Sequence, residues 1–250
     1  CRWASRVQSM SESSQMSIFD MGDEIKEDDH PPLPTNVPEW TVLERCRYEK
    51  EALSIYLSGH PLDMYKYEMK LFANISAVQL SNLQELVGKE VVFAGIVTDA
   101  TQGVSKNGSL YGSMTIEDYS GSYELRFFGS DITSFGQFMT KELFVCVYGR
   151  VTQYKNTSPT GDVTFSPPRL KVTKMELMAD LLAKHCTTVQ FTIKLDSITS
   201  DFCKTIKKTA AQHKGNTPLR AIVIDNAQNL SLMMTSHSLK VDPKPCIEAL

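Results

Sequence analysis

The chain lacks an excess of positive charge and has no apolar run long enough to span a bilayer. Its 250 residues carry 26 Lys and Arg against 29 Asp and Glu, a net charge of −3. This balance argues against a dedicated, high-affinity nucleic-acid binder but allows weak or single-strand binding through a local patch. The absence of an apolar span and of a charged-then-apolar leader predicts a cytoplasmic protein with no membrane partner.

The chain also lacks closely spaced cysteines. Scattered cysteines are typical of reduced thiols in a cytoplasmic protein rather than of a disulfide framework. His185 and Cys186 are the only adjacent His–Cys pair, and no second pair lies at ligand spacing, so the sequence predicts no metal site. The six cysteines are Cys1, Cys46, Cys146, Cys186, Cys203 and Cys246.

One short motif stands out in a polar, Ser-rich stretch near the start of the chain. Two adjacent large apolar side chains outside a packed core are typical of a docking site. In a short extended peptide, apolar side chains fill a pocket while an amide fixes the orientation. We therefore expect Gln15 to be the amide anchor and Ile18 and Phe19 to fill the pocket, with Met16 and Ser17 as lesser contacts.

Changes in composition divide the chain into five parts. The segment that follows the motif is rich in carboxylates and prolines, so it reads as a solvated linker that keeps the motif exposed. The parts are a helix end with the docking peptide (1–19), an acidic Pro-rich linker (20–39), a helical segment (40–87), a β-barrel (88–175) and a truncated α+β domain (176–250).

Helical periodicity dominates the third part. Apolar residues recur at helical spacing over 40–57, and Gly59 followed by Pro61 is expected to end that helix. Shorter helices are predicted over 63–72 and 77–86, the second ended by Gly88. His60 lies in a turn and is expected to be a structural hydrogen bonder rather than a general base.

Strand-like alternation begins at residue 89. Three strands, a short helix and two strands follow in the order of an OB-fold, although an SH3-like barrel or a sandwich sheet has a similar strand count. The predicted strands cover 90–98, 109–117, 122–128, 143–154 (the longest) and 163–175 (interrupted by Pro167-Pro168), with a helix over 131–139. The fold class is therefore mainly β plus α+β, with short helices before the barrel.

The last part reads as a small α+β unit. The predicted elements are helices over 176–184 and 197–212, a strand over 188–195, a turn at 214–216, strands over 219–225 and 229–236, and a last helix from about Pro245.

Cations and aromatic rings on the barrel are candidates for binding a single strand, since cations contact phosphates and exposed rings stack on bases. OB-folds bind across strands two and three and the loops that flank them. The alternation predicts that Met114, Ile116, Leu125 and Phe127 point inward. The candidate DNA-binding residues are Lys106, Tyr111, Arg126, Phe128 and Lys155.

Three groups of residues carry a family resemblance. The run 49–63, EKEALSIYLSGHPLD, resembles a signature segment of the bacterial DNA polymerase III alpha (catalytic) subunit. The segments GIV at 95–97, KNG at 106–108, IED at 116–118 and SG at 120–121 are similar to that subunit's OB region. The peptide 15–19 resembles the Gln-x-Ser/Asp-Leu/Ile-Phe motif that holds the sliding clamp. The resemblance covers nearly the whole chain.

The resemblance implies a non-catalytic C-terminal part of a replicative DNA polymerase, a DNA-directed nucleotidyltransferase whose active site and magnesium ions lie upstream. It implies no cofactor in this part. The implied partners are the sliding clamp (beta subunit), single-stranded DNA bound weakly, and the tau subunit of the clamp loader. Two alternatives stay open: an OB-fold tRNA-anticodon-binding domain of a synthetase, and a purely structural protein-interaction module.

Overall fold

A five-stranded antiparallel sheet that curls into a barrel organises most of the chain. The structure, a computed structural model, describes residues 38–157 and 163–249. The peptide Gln15, Met16, Ser17, Ile18 and Phe19 and most of the acidic linker lie outside the described residues. Among the helices that the structure describes, none combines the length and apolar character needed to cross a bilayer.

The strand order of the barrel sheet is β3-β2-β1-β4-β7. The long strand β1 pairs with β4 through its first half and with β2 through its second half, so it bends around the corner of the barrel. This is the topology of the predicted OB-fold, a partly open Greek-key barrel. The strands are β1 (Glu90–Val104), β2 (Leu110–Glu117), β3 (Ser122–Phe128), β4 (Phe144–Thr152) and β7 (Arg169–Leu177).

Alternate side chains of these strands fill the barrel. The inward alternation predicted for β2 and β3 is confirmed, because all four predicted residues are buried. Phe93 of β1 is fully buried among them. Each such side chain contributes about 1.5–3 kcal/mol when it is removed from water. Part of the buried cluster is Val91, Phe93, Val97, Met114, Ile116, Leu125, Phe127, Val145, Val147 and Val151.

Two details of the predicted strands are wrong. The longest strand is β1, with 15 residues, rather than the one near residue 150. The strand predicted over 163–175, with an interruption at Pro167-Pro168, is two strands in different sheets, since β6 (Val163–Phe165) pairs with β5 (Lys155–Thr157) and β7 belongs to the barrel. Between β3 and β4, the predicted helix is α4 (Ser130–Phe135) followed by a 3₁₀ turn.

The first helix, α1 (Val42–Leu53), is shorter than predicted. Thr41 and Glu44 form a reciprocal capping box at its start. It ends at Leu53 because Ser54 adopts a left-handed conformation with φ of 63°, before Gly59 is reached. Its predicted apolar face is mostly exposed, and only Cys46 is buried. The other helices of this part are α2 (Lys66–Phe72) and α3 (Ala77–Leu80), each next to a 3₁₀ turn (Pro61–Tyr65 and Leu83–Leu86).

Residues 57–63 form a tightly bonded connection between α1 and the barrel. The Glu49 carboxylate accepts hydrogen bonds from the backbone N–H groups of Leu57 (2.8 Å) and Ser58 (2.9 Å). His60 and Asp63 form a second capping box, in which the Asp63 carboxylate accepts from the His60 N–H at 2.8 Å. This holds Leu62 fully buried against barrel residues. The signature-like run therefore docks the helices onto the barrel.

His60 makes the stability of this connection sensitive to pH. Its Nδ1 accepts the Leu62 N–H at 3.1 Å, and its ring lies 4.9 and 4.6 Å from the rings of Tyr56 and Tyr119. Burial lowers the pKa of His60 below its ordinary value. Acid therefore protonates the unfolded chain first, so this contribution to stability is complete above about pH 6.5 and is lost as the pH falls below it.

We expect His60→Asn to reduce the acid sensitivity, because an Asn oxygen can accept the Leu62 N–H without titrating. Urea unfolding of both proteins at about pH 7.5 and about pH 5.5 measures the effect. The wild type should lose more stability between the two pH values than the variant. Equal losses would show that His60 does not contribute.

The last part of the chain is an α+β unit on a three-stranded sheet of order β10-β9-β8. Its β8 (Val189–Lys194) is parallel to β9 (Lys214–Asp225), and β9 is antiparallel to β10 (Leu230–Val241). The turn predicted at 214–216 is wrong, since β9 begins at Lys214. A side chain at Gly215 would lie 2.5 Å from the Val241 backbone, so glycine permits a close strand approach there. The helices are α5 (Met178–His185), α6 (Ser200–Gln212) and α7 (Pro243–Ala249).

Candidate nucleic-acid interface

Two exposed aromatic side chains lie at one end of the outer face of β2 and β3, next to the β1–β2 turn. Tyr111 and Phe128 are cross-strand partners and are 44% and 63% exposed. On the other side of Tyr111 its partner is Gly103 of β1, where a Cβ atom would lie 2.9 Å from the tyrosine ring. The glycine thus lets the ring lie over β1. The result is a flat apolar row able to stack on bases.

The next two cross-strand rows of this face are polar, and their charged side chains already form ion pairs. The Arg126 guanidinium donates two hydrogen bonds to Glu124, at 2.8 and 3.2 Å. This interaction holds the pKa of the Glu124 carboxyl below its usual range. On β1, Asp99 binds the Lys141 ammonium at 2.7 Å. The face therefore offers rings and hydroxyls more than free positive charge.

The β1–β2 turn adds a cation beside the aromatic row. Backbone bonds close it, with Gly108 donating to Ser105 at 2.9 Å and Ser105 donating to Ser109 at 2.8 Å. Gly108 has a φ of +76°, which favours glycine. These bonds hold the exposed Lys106 near the tip of the turn, as its Lys-Asn-Gly sequence predicts.

The β5–β6 hairpin carries a second pair of exposed rings. Lys155 and Phe165 are cross-strand partners, and Tyr154 and Ser166 are joined by hydrogen bonds of 2.9 and 3.0 Å at the base of the hairpin. Tyr154 and Phe165 are 61% and 62% exposed. Sequence reasoning assigned both rings to barrel strands and missed them as candidates. The signal that separates the hairpin is Pro167-Pro168, which was predicted only to interrupt one strand, although proline cannot continue a central strand.

Comparison with known proteins identifies the barrel and its relatives. Residues 91–178 match a family model named for tRNA anticodon binding and described as an OB-fold nucleic acid binding domain. DNA polymerase III subunit alpha of Pseudomonas aeruginosa is 24% identical over 207 residues, which are 83% of this chain and 16% of that protein. The chain is similar to DNA polymerase III subunit alpha. The resemblance predicted from the sequence is confirmed.

Two further DNA polymerase III alpha subunits extend the likeness. That of Mycobacterium tuberculosis is 22% identical over 93% of this chain and 19% of its own length. That of Vibrio cholerae is 29% identical over 47% of this chain and 10% of its own length. The chain thus spans less than a fifth of these polymerase subunits.

One solved structure, a mitochondrial single-stranded DNA binding protein from S. cerevisiae, shares 14% sequence identity with a TM-score of 0.24. The match covers 36% of this chain and 92% of that protein. A likeness this low supports no conclusion about function.

The structure brings some of the predicted DNA-binding residues together on the barrel that resembles the polymerase OB region. Tyr111 and Phe128 are direct neighbours, Arg126 lies in the next row, and Lys106 lies on the adjoining turn. Lys155 lies on a different element, the β5–β6 hairpin. All five are exposed, and their contact with DNA stays a prediction.

The described residues do not fit the magnesium site expected of a polymerase. Across 38–157 and 163–249, no group of three or more His, Cys, Asp or Glu residues could hold a metal. Asp118, for example, accepts hydrogen bonds from the N–H groups of Ala77 (2.9 Å), Ser120 (2.7 Å) and Gly121 (3.1 Å). Its role is to close the β2–β3 turn against α3.

Proposed function

We propose that this chain is a non-catalytic part of a replicative DNA polymerase that binds single-stranded template DNA through its OB-fold. The observation that carries the proposal is the Tyr111–Phe128 row beside the Lys106 turn, on a barrel of a nucleic acid binding family. Polymerisation and its magnesium ions belong, in this proposal, to the rest of the polymerase. This chain supplies contacts and no chemistry.

The electrostatics favour weak, stacking-dominated binding. Residues 91–178 contain eight Lys and Arg and eight Asp and Glu, so the OB-fold has no net charge. Exposed rings stack on any base, whereas few free cations are available for phosphates on the β2–β3 face. The affinity should therefore be modest and tolerant of sequence, as suits a template that must move past the site.

Fluorescence anisotropy with labelled oligo(dT) and with RNA of the same length, at low and moderate salt, tests the proposal. We expect the full chain to bind the DNA strand at low salt. The anticodon-binding name of the matched family model makes RNA the competing ligand. A clear preference for RNA would favour the tRNA-binding alternative, and no binding to either strand would reject a nucleic acid function for the barrel.

We also propose that the peptide around Phe19 docks on the sliding clamp, with Gln15 as the anchor and Ile18 as the second pocket filler. Apolar anchors dominate short-peptide interfaces. In a calorimetric titration of the clamp with a peptide of residues 13–21, Phe19→Ala should weaken binding by about tenfold or more. Ser17→Ala is the matched control and should bind almost as well as the wild type. Equal affinities for the wild-type and Phe19→Ala peptides would reject the docking role.

The α+β unit over 176–250 is proposed as the region that contacts the tau subunit of the clamp loader. No individual residue is assigned to that contact.

A further inference from the structure

Three cations of the OB-fold lie on a different face from the aromatic row. Arg150 of β4 and Lys171 of β7 are cross-strand partners, and Arg169 pairs with Thr152 two residues further along. All three cations are exposed and share the outer side of this strand pair. We call these three residues the basic stripe.

The stripe differs in its partners from three other cations of the OB-fold. Arg126, Lys141 and Lys174 each form an ion pair with a carboxylate at 2.7–2.8 Å. Within the described residues, no ion pair neutralises a member of the basic stripe. Among the described residues, the Arg150 side chain donates one hydrogen bond, from its Nε to the Gly88 carbonyl oxygen at 3.1 Å.

The arrangement is unfavourable for the isolated protein. Like charges directly opposite each other on neighbouring strands are destabilising. Glu90 of β1 also lies across from Arg150, on its other side, but the two do not form an ion pair. Uncompensated cations placed in register are typical of a surface that binds an extended anion, in which successive phosphates neutralise successive side chains.

The stripe runs into the hairpin that carries the second pair of exposed rings. Arg169 directly follows Pro167-Pro168, which connect β6 to β7. The hairpin adds Lys155 and the exposed rings of Tyr154 and Phe165. Cations along a strand that lead to exposed aromatic side chains are the combination used to bind single strands, with phosphates on the cations and bases on the rings.

We propose that a single-stranded nucleic acid passes along the basic stripe, with its backbone on Arg150, Lys171 and Arg169 and its bases on Tyr154 and Phe165. This inference rests on the proposed function and deepens it, because it adds a path over β4, β7 and the hairpin. The β2–β3 face then supplies stacking, and the stripe supplies most of the salt-sensitive binding.

An acidic protein segment is the competing ligand for such a stripe. The chain's own linker contains several carboxylates within 20–29. The exposed rings beside the cations favour the nucleic acid, since a carboxylate-rich segment has no bases to stack on them.

The salt dependence of binding tests the path. The variant Arg150→Gln/Arg169→Gln/Lys171→Gln removes three charges from the stripe. Its control, Lys204→Gln/Lys207→Gln/Lys208→Gln, removes the same charge from exposed positions of α6. Anisotropy titrations of both full-length variants with oligo(dT) over a range of salt concentrations give the slope of log K against log salt. Three lost phosphate contacts should reduce the size of that slope by about two, while the control keeps the wild-type slope.

The possible results distinguish a failure of the proposed path from a failure of the proposed function. A wild-type slope in a folded stripe variant, checked by circular dichroism, would overturn the path and leave the proposed function intact. If the wild type bound no strand, both would fail. If a peptide of residues 18–31 displaced DNA from the wild type and bound the stripe variant much more weakly, the stripe would be assigned to an acidic segment instead. A reduced slope together with about tenfold weaker binding of Tyr154→Ala/Phe165→Ala would support the proposal.

Discussion

Gly95→Ala is expected to lower the free energy of unfolding by about 3 kcal/mol or more. An added Cβ at this position would overlap the Glu117 carbonyl oxygen and lie 2.7 Å from Cγ2 of Ile116. The obstacle is largely backbone, so no rotamer change can relieve it. Relief requires β1 and β2 to separate next to the Ile96–Glu117 pair, where β1 turns from β4 to β2.

Urea unfolding measures this loss, and Gly136→Ala is its control. Gly136 has a φ of −56°, and a Cβ there would meet Gln102 at 3.6 Å, an ordinary contact. Such a substitution is expected to be neutral or slightly stabilising. If Gly95→Ala were no more destabilising than Gly136→Ala, the close crossing of β1 and β2 would not be required by the barrel.

Lys244→Met is expected to lower the free energy of unfolding by about 2–3 kcal/mol. This is somewhat less than the loss on breaking a fully buried ion pair, because the Lys244 ammonium is partly exposed. Glu68 of α2 is 1% exposed, and neither of its oxygens accepts a well-aligned hydrogen bond from the described residues. The Lys244 ammonium lies 3.1 Å from Glu68 Oε1 and donates to the Met64 carbonyl oxygen at 2.7 Å. It also lies 4.1 Å from the centre of the Tyr65 ring. Without it the Glu68 carboxylate is buried and uncompensated.

Two further variants identify the cause of this loss. Glu68→Leu/Lys244→Met should recover most of the stability, because it removes both charges rather than one. Lys204→Met breaks an exposed pair with Asp201 and should change stability by less than about 1 kcal/mol. A double variant as unstable as Lys244→Met would show that the lysine acts through its packing. The pair joins α7 of the last part to α2.

The barrel was predictable where local signals agree. Turn sequences precede β2 and connect β2 to β3, and strict alternation places Met114 and Leu125 inside and Tyr111 and Phe128 outside. Once those turns fix the register, the faces follow from the period of two. The pairing of Arg126 with Glu124 was not predicted, although residues two apart on a strand share a face.

Features that depend on tertiary contacts were not predictable. Ser54 ends α1 in a left-handed conformation that sequence patterns assign to glycine. Gly215 was taken as a turn residue, although it serves a close approach of β9 to the end of β10. The basic stripe is invisible in the sequence because Arg150 and Lys171 meet only through the register of β4 and β7. The clamp peptide stays a prediction.

The most direct test of the central claim is the affinity of Tyr111→Ala/Phe128→Ala for single-stranded DNA. These two rings carry the proposed stacking surface, so we predict that the variant binds oligo(dT) about tenfold more weakly or worse in anisotropy titrations at low salt. Trp40→Ala/Tyr48→Ala, which removes two exposed rings near α1, should bind like the wild type. Wild-type affinity in a folded Tyr111→Ala/Phe128→Ala variant would contradict the account.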